Sequence, residues 1–169
     1  MCVNRLTIVI AVLLLPLMQA ALAQAPRVER LEIIGAGFIG YEQAGERTDA
    51  PDAVGGKVIR PRNMRFLPET PADTAKIGTS FGVRFAVIGR PRNEPVMLRT
   101  VWKIPASGLT DPKSGKTYTE SASELTALVG GAYLSGYAFH EPWEIVKGIW
   151  TLQVWQDDRK LLEHDFAIR

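Results

Sequence analysis

The stretch GTSFGVRFAVIG, residues 78–89, alternates along its length between large apolar side chains and small or charged ones. In an extended chain, successive side chains point to opposite faces. One face therefore collects the large apolar residues Phe81, Val83, Phe85 and Val87, while Arg84 falls on the other face. This period-2 pattern predicts a β-strand with one face in the core.

The following run, residues 96–104, has the same period. Its predicted inward face carries Val96, Leu98, Thr100, Trp102 and Ile104, which alternate with Met97, Arg99, Val101 and Lys103. Two prolines lie in the connection PRNEP, residues 91–95, and proline fixes φ and cannot donate to a strand ladder. The two runs are therefore predicted to pair as an antiparallel hairpin.

Further strands are predicted on both sides of this pair. Residues 28–34 indicate a half-exposed strand, and residues 35–41 are either its continuation or a hairpin return. Three more strands are indicated at residues 131–139, 148–156 and 160–168. One short helix is predicted at residues 121–129. Six to eight short strands with almost no helix predict an all-β fold, an antiparallel immunoglobulin-like β-sandwich. A small β-barrel is the alternative.

The last two strands are joined by the polar tight turn at residues 156–159. Their predicted inward side chains are Trp150, Leu152, Val154, Leu162, Phe166 and Ile168, with His164 on the same face unless a bulge shifts the register. Trp102 and Trp150 are accordingly expected in the core. Trp155 is the tryptophan expected to be exposed, and by itself it is weak support for carbohydrate binding.

The N-terminus has the pattern of a secretory signal peptide. Arg5 precedes an apolar run from Leu6 to Met18, and small residues at Ala21 and Ala23 suit a signal peptidase. The run is shorter than the ~20 residues that span a bilayer. We expect cleavage after Ala23, a periplasmic protein, and no transmembrane helix in the mature chain.

Residues 24–169 are predicted to form one β-sandwich domain, with a long irregular excursion at about 42–77. That segment is polar and contains four prolines, and only VIR and MRFL within it indicate short strands. Cys2, the one cysteine, lies in the signal segment, so no disulfide is expected. The formal net charge of +2 does not favour a nucleic-acid partner.

Two glycine-containing motifs resemble nucleotide sites. Residues 35–40 match GxGxxG, but the polar sequence after them does not form the helix and acidic strand end that a dinucleotide site requires. Residues 114–117, SGKT, lack the earlier glycine of a phosphate-binding loop. We interpret the first as glycines in a bent strand and the second as a turn, and we predict no cofactor.

The segment HEPWE, residues 140–144, is the only candidate for catalysis. Glu141 and Glu144 flank Trp143 and could in principle form the acid pair of an envelope hydrolase. The favoured interpretation is solvated loop charges, with Trp143 covering one end of the core. Only two histidines exist, no cysteine remains after processing, and no serine lies in a nucleophile elbow. No catalytic residue and no metal site is therefore predicted.

Residues 57–103 are rich in Lys and Arg. If the predicted hairpin forms, Arg84, Arg99 and Lys103 share one solvent-facing side. Like charges that lie close together repel, so either nearby acids neutralise them or the patch meets an anionic ligand. Neutralisation within the fold is the favoured outcome, and another envelope protein or an anionic lipid surface is the alternative.

The C-terminal part of the chain resembles the C-terminal part of a bacterial family of exported proteins known only as a domain of unknown function. The resemblance lies in GIWTLQVW at residues 148–155, the turn after it, and residues 161–166. The segments GTSFGVRF, VWKIP and DPKSGK also resemble that family, so the likeness covers about residues 28–168. It implies an immunoglobulin-like sandwich and carries over no catalytic residues. We expect a non-catalytic binding or interaction module of the cell envelope.

Overall fold

The computed structural model describes residues 25–40, 43–71 and 73–169, so the predicted signal peptide lies outside the described residues. Within these described residues, two short 3-10 helices, Val54–Gly56 and Pro142–Glu144, interrupt an otherwise all-β structure. The strands are β1 (Arg27–Gly40), β2 (Gln43–Asp49), β3 (Lys57–Arg62), β4 (Arg65–Phe66), β5 (Ser80–Arg90), β6 (Pro95–Lys103), β7 (Leu109–Thr110), β8 (Thr117–Tyr118), β9 (Glu120–Leu128), β10 (Ala132–Ala138), β11 (Gly148–Gln156) and β12 (Arg159–Ile168).

Two four-stranded antiparallel sheets form the body of the domain. The first has the order β10-β5-β1-β4 and the second the order β12-β11-β6-β9. Two-stranded ribbons, β2 with β3 and β7 with β8, lie outside them. The sheets do not close into a barrel, so the immunoglobulin-like β-sandwich is confirmed and the barrel alternative is wrong.

The inward faces of the two sheets meet in an aromatic core. Phe81 of β5 packs edge-on against Trp102 of β6 and Trp150 of β11, with ring centroids 5.3 and 5.8 Å apart. The inward side chains predicted for these strands are all buried, and Phe81, Phe85 and Trp150 are 0% exposed. Alternation along each strand therefore identified the core correctly, because a sheet with one buried face requires it.

The predicted hairpin between residues 78–89 and 96–104 is wrong. β5 pairs with β1 and β10, whereas β6 pairs with β9 and β11, so the two strands belong to different sheets. Residues 91–94 carry the chain from one sheet to the other. Each strand is central in its own sheet, and their apolar faces are buried against each other across the core.

The short helix predicted for residues 121–129 is also wrong, because β9 occupies that segment. Its residues Glu120 to Leu128 pair with Lys103 to Pro95 of β6 without a register shift. Ala and Leu favour a helix in isolation, but a strand that completes a ladder and buries Ala122 and Ala127 overrides this weak preference.

The excursion is more regular than predicted. The possible strands VIR and MRFL correspond to β3 and β4, but β2 was not predicted and pairs with β3 as a ribbon. Residues 35–40 continue β1, so the hairpin-return alternative is wrong. At the end of β11, Asp157 adopts a φ of 51° in the tight turn into β12, as the polar turn sequence predicted.

Candidate functional site

The outer face of the second sheet carries polar side chains from three neighbouring strands. Because Trp150, Leu152 and Val154 of β11 face the core, the residues between them project outward. Cross-strand pairing then places Gln153 opposite Val101, and Trp155 opposite Arg99. On the other side of β6, Lys103 lies opposite Glu120 of β9.

Two depressions of about 270 and 320 Å³ indent this face, and both are lined by Arg99 and Glu120. We call the two together the outer-face groove. Its lining comprises Pro51, Asp52, Arg99, Val101, Lys103, Lys116, Thr117, Tyr118, Thr119, Glu120, Ala122, Gln153, Trp155, Asp157 and Asp158. The groove thus crosses the sheet from the β11–β12 turn to the β7–β8 ribbon.

Small apolar side chains lie among the groove residues. Val101 and Ala122 project from the outer face, yet they are only 5% and 3% exposed.

The loop before the first 3-10 helix packs on β9. There the Ala122 amide donates to the Asp52 carbonyl over 3.0 Å, and the Val54 amide donates to the Ser121 hydroxyl over 3.0 Å. These bonds fix one wall of the groove against the sheet.

The charges in the groove largely compensate one another. The Lys103 ammonium donates to a Glu120 carboxylate oxygen, and the Arg99 guanidinium lies 3.9 Å from the other oxygen of that carboxylate. The hydrogen bond from Lys103, followed by the positive charges of Lys103 and Arg99, holds the pKa of Glu120 below its ordinary value despite partial desolvation. Glu120 therefore remains an ionised hydrogen-bond acceptor at neutral pH.

Trp155 is positioned by a short chain of hydrogen bonds along the same face. Its indole N–H donates to the Gln153 side-chain oxygen over 3.2 Å, and the Gln153 amide donates to Glu163 over 2.8 Å. The Lys160 ammonium also donates to Glu163 and lies 6.0 Å from the centroid of the Trp155 ring. The pKa of Glu163 is lowered, first by the Lys160 hydrogen bond and then by that from Gln153.

The predicted patch of three cations does not form. Arg84 lies in β5 of the first sheet, where it is opposite Gly35 of β1 and Leu134 of β10. Arg99 and Lys103 lie on the second sheet and pair with Glu120. The patch depended on the hairpin that the sandwich replaces, and the two cations that remain together lie opposite two acids of β9, Lys103 opposite Glu120 and Arg99 opposite Glu124.

The two glutamates of HEPWE cap the second 3-10 helix. The Glu144 carboxylate accepts from the backbone N–H groups of His140, over 2.5 Å, and of Glu141, over 2.9 Å. The Glu141 side chain in turn accepts from the Glu144 backbone, which completes a capping box. Glu144 is buried, so its interpretation as a solvated loop charge is wrong, whereas Trp143 packs partly buried against the core, as predicted for a cover at one end.

Next to this cap, the Tyr137 hydroxyl is buried and has no hydrogen-bond partner among the residues that the structure describes. Desolvation, followed by the Glu144 carboxylate, raises the pKa of that phenol. Its ring packs 4.7 Å from the Trp150 ring, centroid to centroid. The arrangement keeps Tyr137 neutral and makes it a core residue.

The glycine motifs have structural roles. In residues 35–40, Gly35 and Gly37 lie in β1 beneath the Phe66 ring, and a Cβ at Gly35 would be 2.6 Å from that ring. Residues 114–117 form the turn between β7 and β8, where Gly115 has a φ of 68° and the Asp111 carboxylate accepts from the Ser114 hydroxyl over 2.7 Å. Both interpretations from sequence agree with this geometry.

His164 projects inward at the edge strand β12, half-buried, with its ring 4.9 Å from that of Phe166.

Across residues 25–40, 43–71 and 73–169, no group of three His, Cys, Asp or Glu side chains is close enough to hold a metal ion. Over the same residues no helix has the length and apolar character to cross a membrane.

Sequence reasoning missed the groove as a unit. The sequence predicts no strand at Glu120, and the helix predicted for residues 121–129 conceals which positions of β9 point outward. Alternation around Val101 does place Arg99 and Lys103 outward, but it does not say which strand lies beside them. The pairing of β9 with β6 supplies Glu120.

The geometry defines an immunoglobulin-like β-sandwich with a polar groove on one outer face. The chain belongs to the family described as a domain of unknown function, DUF3859, whose sequence pattern matches residues 32–168. An immunoglobulin-like protein from Pseudomonas aeruginosa is 28% identical to it and superposes with a TM-score of 0.51, over 82% of this chain and 96% of that one.

A second solved structure, the β-D-glucoside glucohydrolase from Trichoderma reesei, is 11% identical, with a TM-score of 0.35 over 83% of this chain and 19% of that enzyme. Similarity at that level says nothing about activity. Among curated proteins, none matches this chain.

Proposed function

We propose that this protein is a non-catalytic binding module of the cell envelope, exported to the periplasm by its N-terminal apolar segment, and that it acts through the outer-face groove. The observation that carries the proposal is the groove itself. It brings two shallow, open depressions, an aromatic side chain and several polar groups together on three hydrogen-bonded strands, and polar groups placed beside an aromatic side chain can orient a ligand.

The scaffold beneath the groove supports a binding role. β6 is paired along both sides, and its inward neighbours Leu98 and Trp102 are anchored in the core. The backbone of such a strand is already ordered before a ligand binds, so none of the interaction energy is spent on ordering that backbone.

The charges in the groove favour binding over acid catalysis. A general acid needs a carboxyl that holds its proton near neutral pH, whereas Glu120 has a lowered pKa and is engaged by Lys103. The alternative pair, Glu141 and Glu144, forms a capping box, and a carboxylate that accepts two backbone N–H bonds is held in a structural role. These contacts do not support an envelope hydrolase.

The same charges argue against an anionic lipid surface as the partner. Binding to anionic headgroups requires uncompensated cations, and Arg99 and Lys103 both face Glu120. Asp157 and Asp158 add further negative charge at one end of the groove. A component of the envelope that is not polyanionic suits this surface better.

The test is to record amide NMR spectra of the ¹⁵N-labelled protein while a solubilised envelope extract is added. We expect shift changes concentrated at groove residues such as Val101 and Gln153. A Gln153→Ala variant should respond less, while Ile149→Ala, on the same outer face of β11 but outside the groove lining, should respond like wild type. No response, or one centred on the first sheet, would overturn the proposal.

A further inference from the structure

The outer-face groove has an aromatic side chain towards each end. Trp155 lines the depression near the β11–β12 turn, and Tyr118 lines the one near the β7–β8 ribbon. The Lys116 ammonium lies 4.4 Å from the Tyr118 centroid, and the Tyr118 side chain also packs partly buried against the core, so that part of it lines the groove. Aromatic faces carry negative charge density, so they attract the weakly positive C–H groups of a ligand.

Between the aromatics, the polar groups offer both donors and acceptors. Gln153 carries an amide, Arg99 has guanidinium N–H groups directed towards Glu120, and Glu120 is an ionised acceptor. A hydroxyl group both donates and accepts, so a ligand rich in hydroxyls can satisfy this mixed set. Such a ligand also exposes C–H faces that suit Trp155 and Tyr118.

An extended peptide fits this surface poorly. Peptides commonly add to a sheet through the free backbone groups of an edge strand. The groove instead lies over β6, whose backbone is already paired with β9 and β11. A polyanion is disfavoured because the acids Glu120, Asp157 and Asp158 outnumber the cations Arg99 and Lys103 in the depression near the β11–β12 turn.

The groove spans β11, β6 and β9, which is two inter-strand spacings or roughly 10 Å. It comprises two depressions that share Arg99 and Glu120 as lining residues. This division matches a ligand made of two or more similar units in a row.

We propose that the outer-face groove binds a neutral oligosaccharide, with one sugar ring against Trp155 and another near Tyr118. The proposal rests on the proposed function, since it names the ligand class of the same groove. Arg99, Glu120 and Gln153 serve as hydrogen-bonding partners of the sugar hydroxyls, and no bond of the sugar is broken.

The experiment titrates the ¹⁵N-labelled protein with cellotriose, maltotriose and triacetylchitotriose, with trigalacturonate as an anionic comparison. At least one neutral trisaccharide should give saturable shifts at Val101 and Gln153. Trp155→Ala should weaken that binding about tenfold or more, as expected for loss of an aromatic anchor. Tyr118→Ala should weaken it by a smaller factor, because Lys116 already occupies one ring face.

Ile149→Ala is the matched control, since Ile149 is a 54% exposed apolar residue on the same face of β11. It should bind like wild type, and circular dichroism should show that every variant retains the β fold. The proposal is overturned if none of the three neutral sugars binds saturably, or if Trp155→Ala and Ile149→Ala lose the same amount of sugar affinity. If the envelope extract still shifts groove amides in that case, the binding function stands and the saccharide assignment fails.

Discussion

Replacing Trp150 by alanine is the sharpest test of the sandwich core. Trp150 is 0% exposed, and its ring lies 4.7 Å from Tyr137, 5.4 Å from Phe139 and 5.8 Å from Phe81, measured between centroids. Its indole N–H donates to the Val146 carbonyl over 2.9 Å. The side chain therefore joins both sheets and the loop before β11.

The magnitude follows from these contacts. Truncation of a buried large aromatic side chain typically costs about 3–5 kcal/mol. The lost hydrogen bond adds about 1 kcal/mol and leaves the Val146 carbonyl without that donor. We therefore expect a loss near 5 kcal/mol, which is a large share of the typical 5–15 kcal/mol stability of a folded protein.

Urea unfolding followed by near-UV circular dichroism measures this loss. With a slope of about 2 kcal/mol per molar urea, the midpoint of Trp150→Ala should fall by about 2 M or more, or the variant should be unfolded without urea. Trp150→Phe keeps an aromatic ring and should lose distinctly less. Ile149→Ala, on the exposed face of the same strand, should stay within about 0.5 kcal/mol of wild type. Equal midpoints for Trp150→Ala and Ile149→Ala would refute the assigned inward face.

Three further predictions concern other parts of the chain. A Cβ in Gly82→Ala would lie 2.4 Å from the Ser135 carbonyl oxygen of β10, so calorimetry should show a loss of about 1–3 kcal/mol, and an unchanged Tm would contradict that packing. The pKa of Glu120 is lowered in the folded state, so its contribution to the free energy of unfolding is present above the ordinary pKa of 4.5 and is lost as the pH falls through the lowered value. The drop in urea midpoint between pH 7 and pH 3 should therefore be smaller in Glu120→Gln than in wild type. An equal drop in the two proteins would count against the Lys103–Glu120 pair. Expressed with its own leader, the exported protein should have the intact mass of a chain that begins at Gln24, and a periplasmic form retaining Met1 would show that cleavage after Ala23 does not occur.

The sequence by itself determined which side chains face the core. Alternation in residues 78–89, 96–104 and 148–156 identified Phe81, Trp102 and Trp150 as buried, because one face of each strand must leave water. It also located the turn at Asp157, since a tight connection between two strands is specified by its own few residues. Which face of a strand is buried and where a tight turn lies both depend on residues within a short stretch of chain.

Only the tertiary structure decided which strands lie side by side. The same alternation is compatible with β5 pairing to β6 or packing against it across the core, and the second arrangement buries the apolar faces of both. That choice separates Arg84 from Arg99 and turns residues 121–129 into β9. It also brings Glu120 beside Lys103 and so creates the outer-face groove. Pairing partners are set by the burial and hydrogen bonding of segments far apart in the chain, and no local pattern records them.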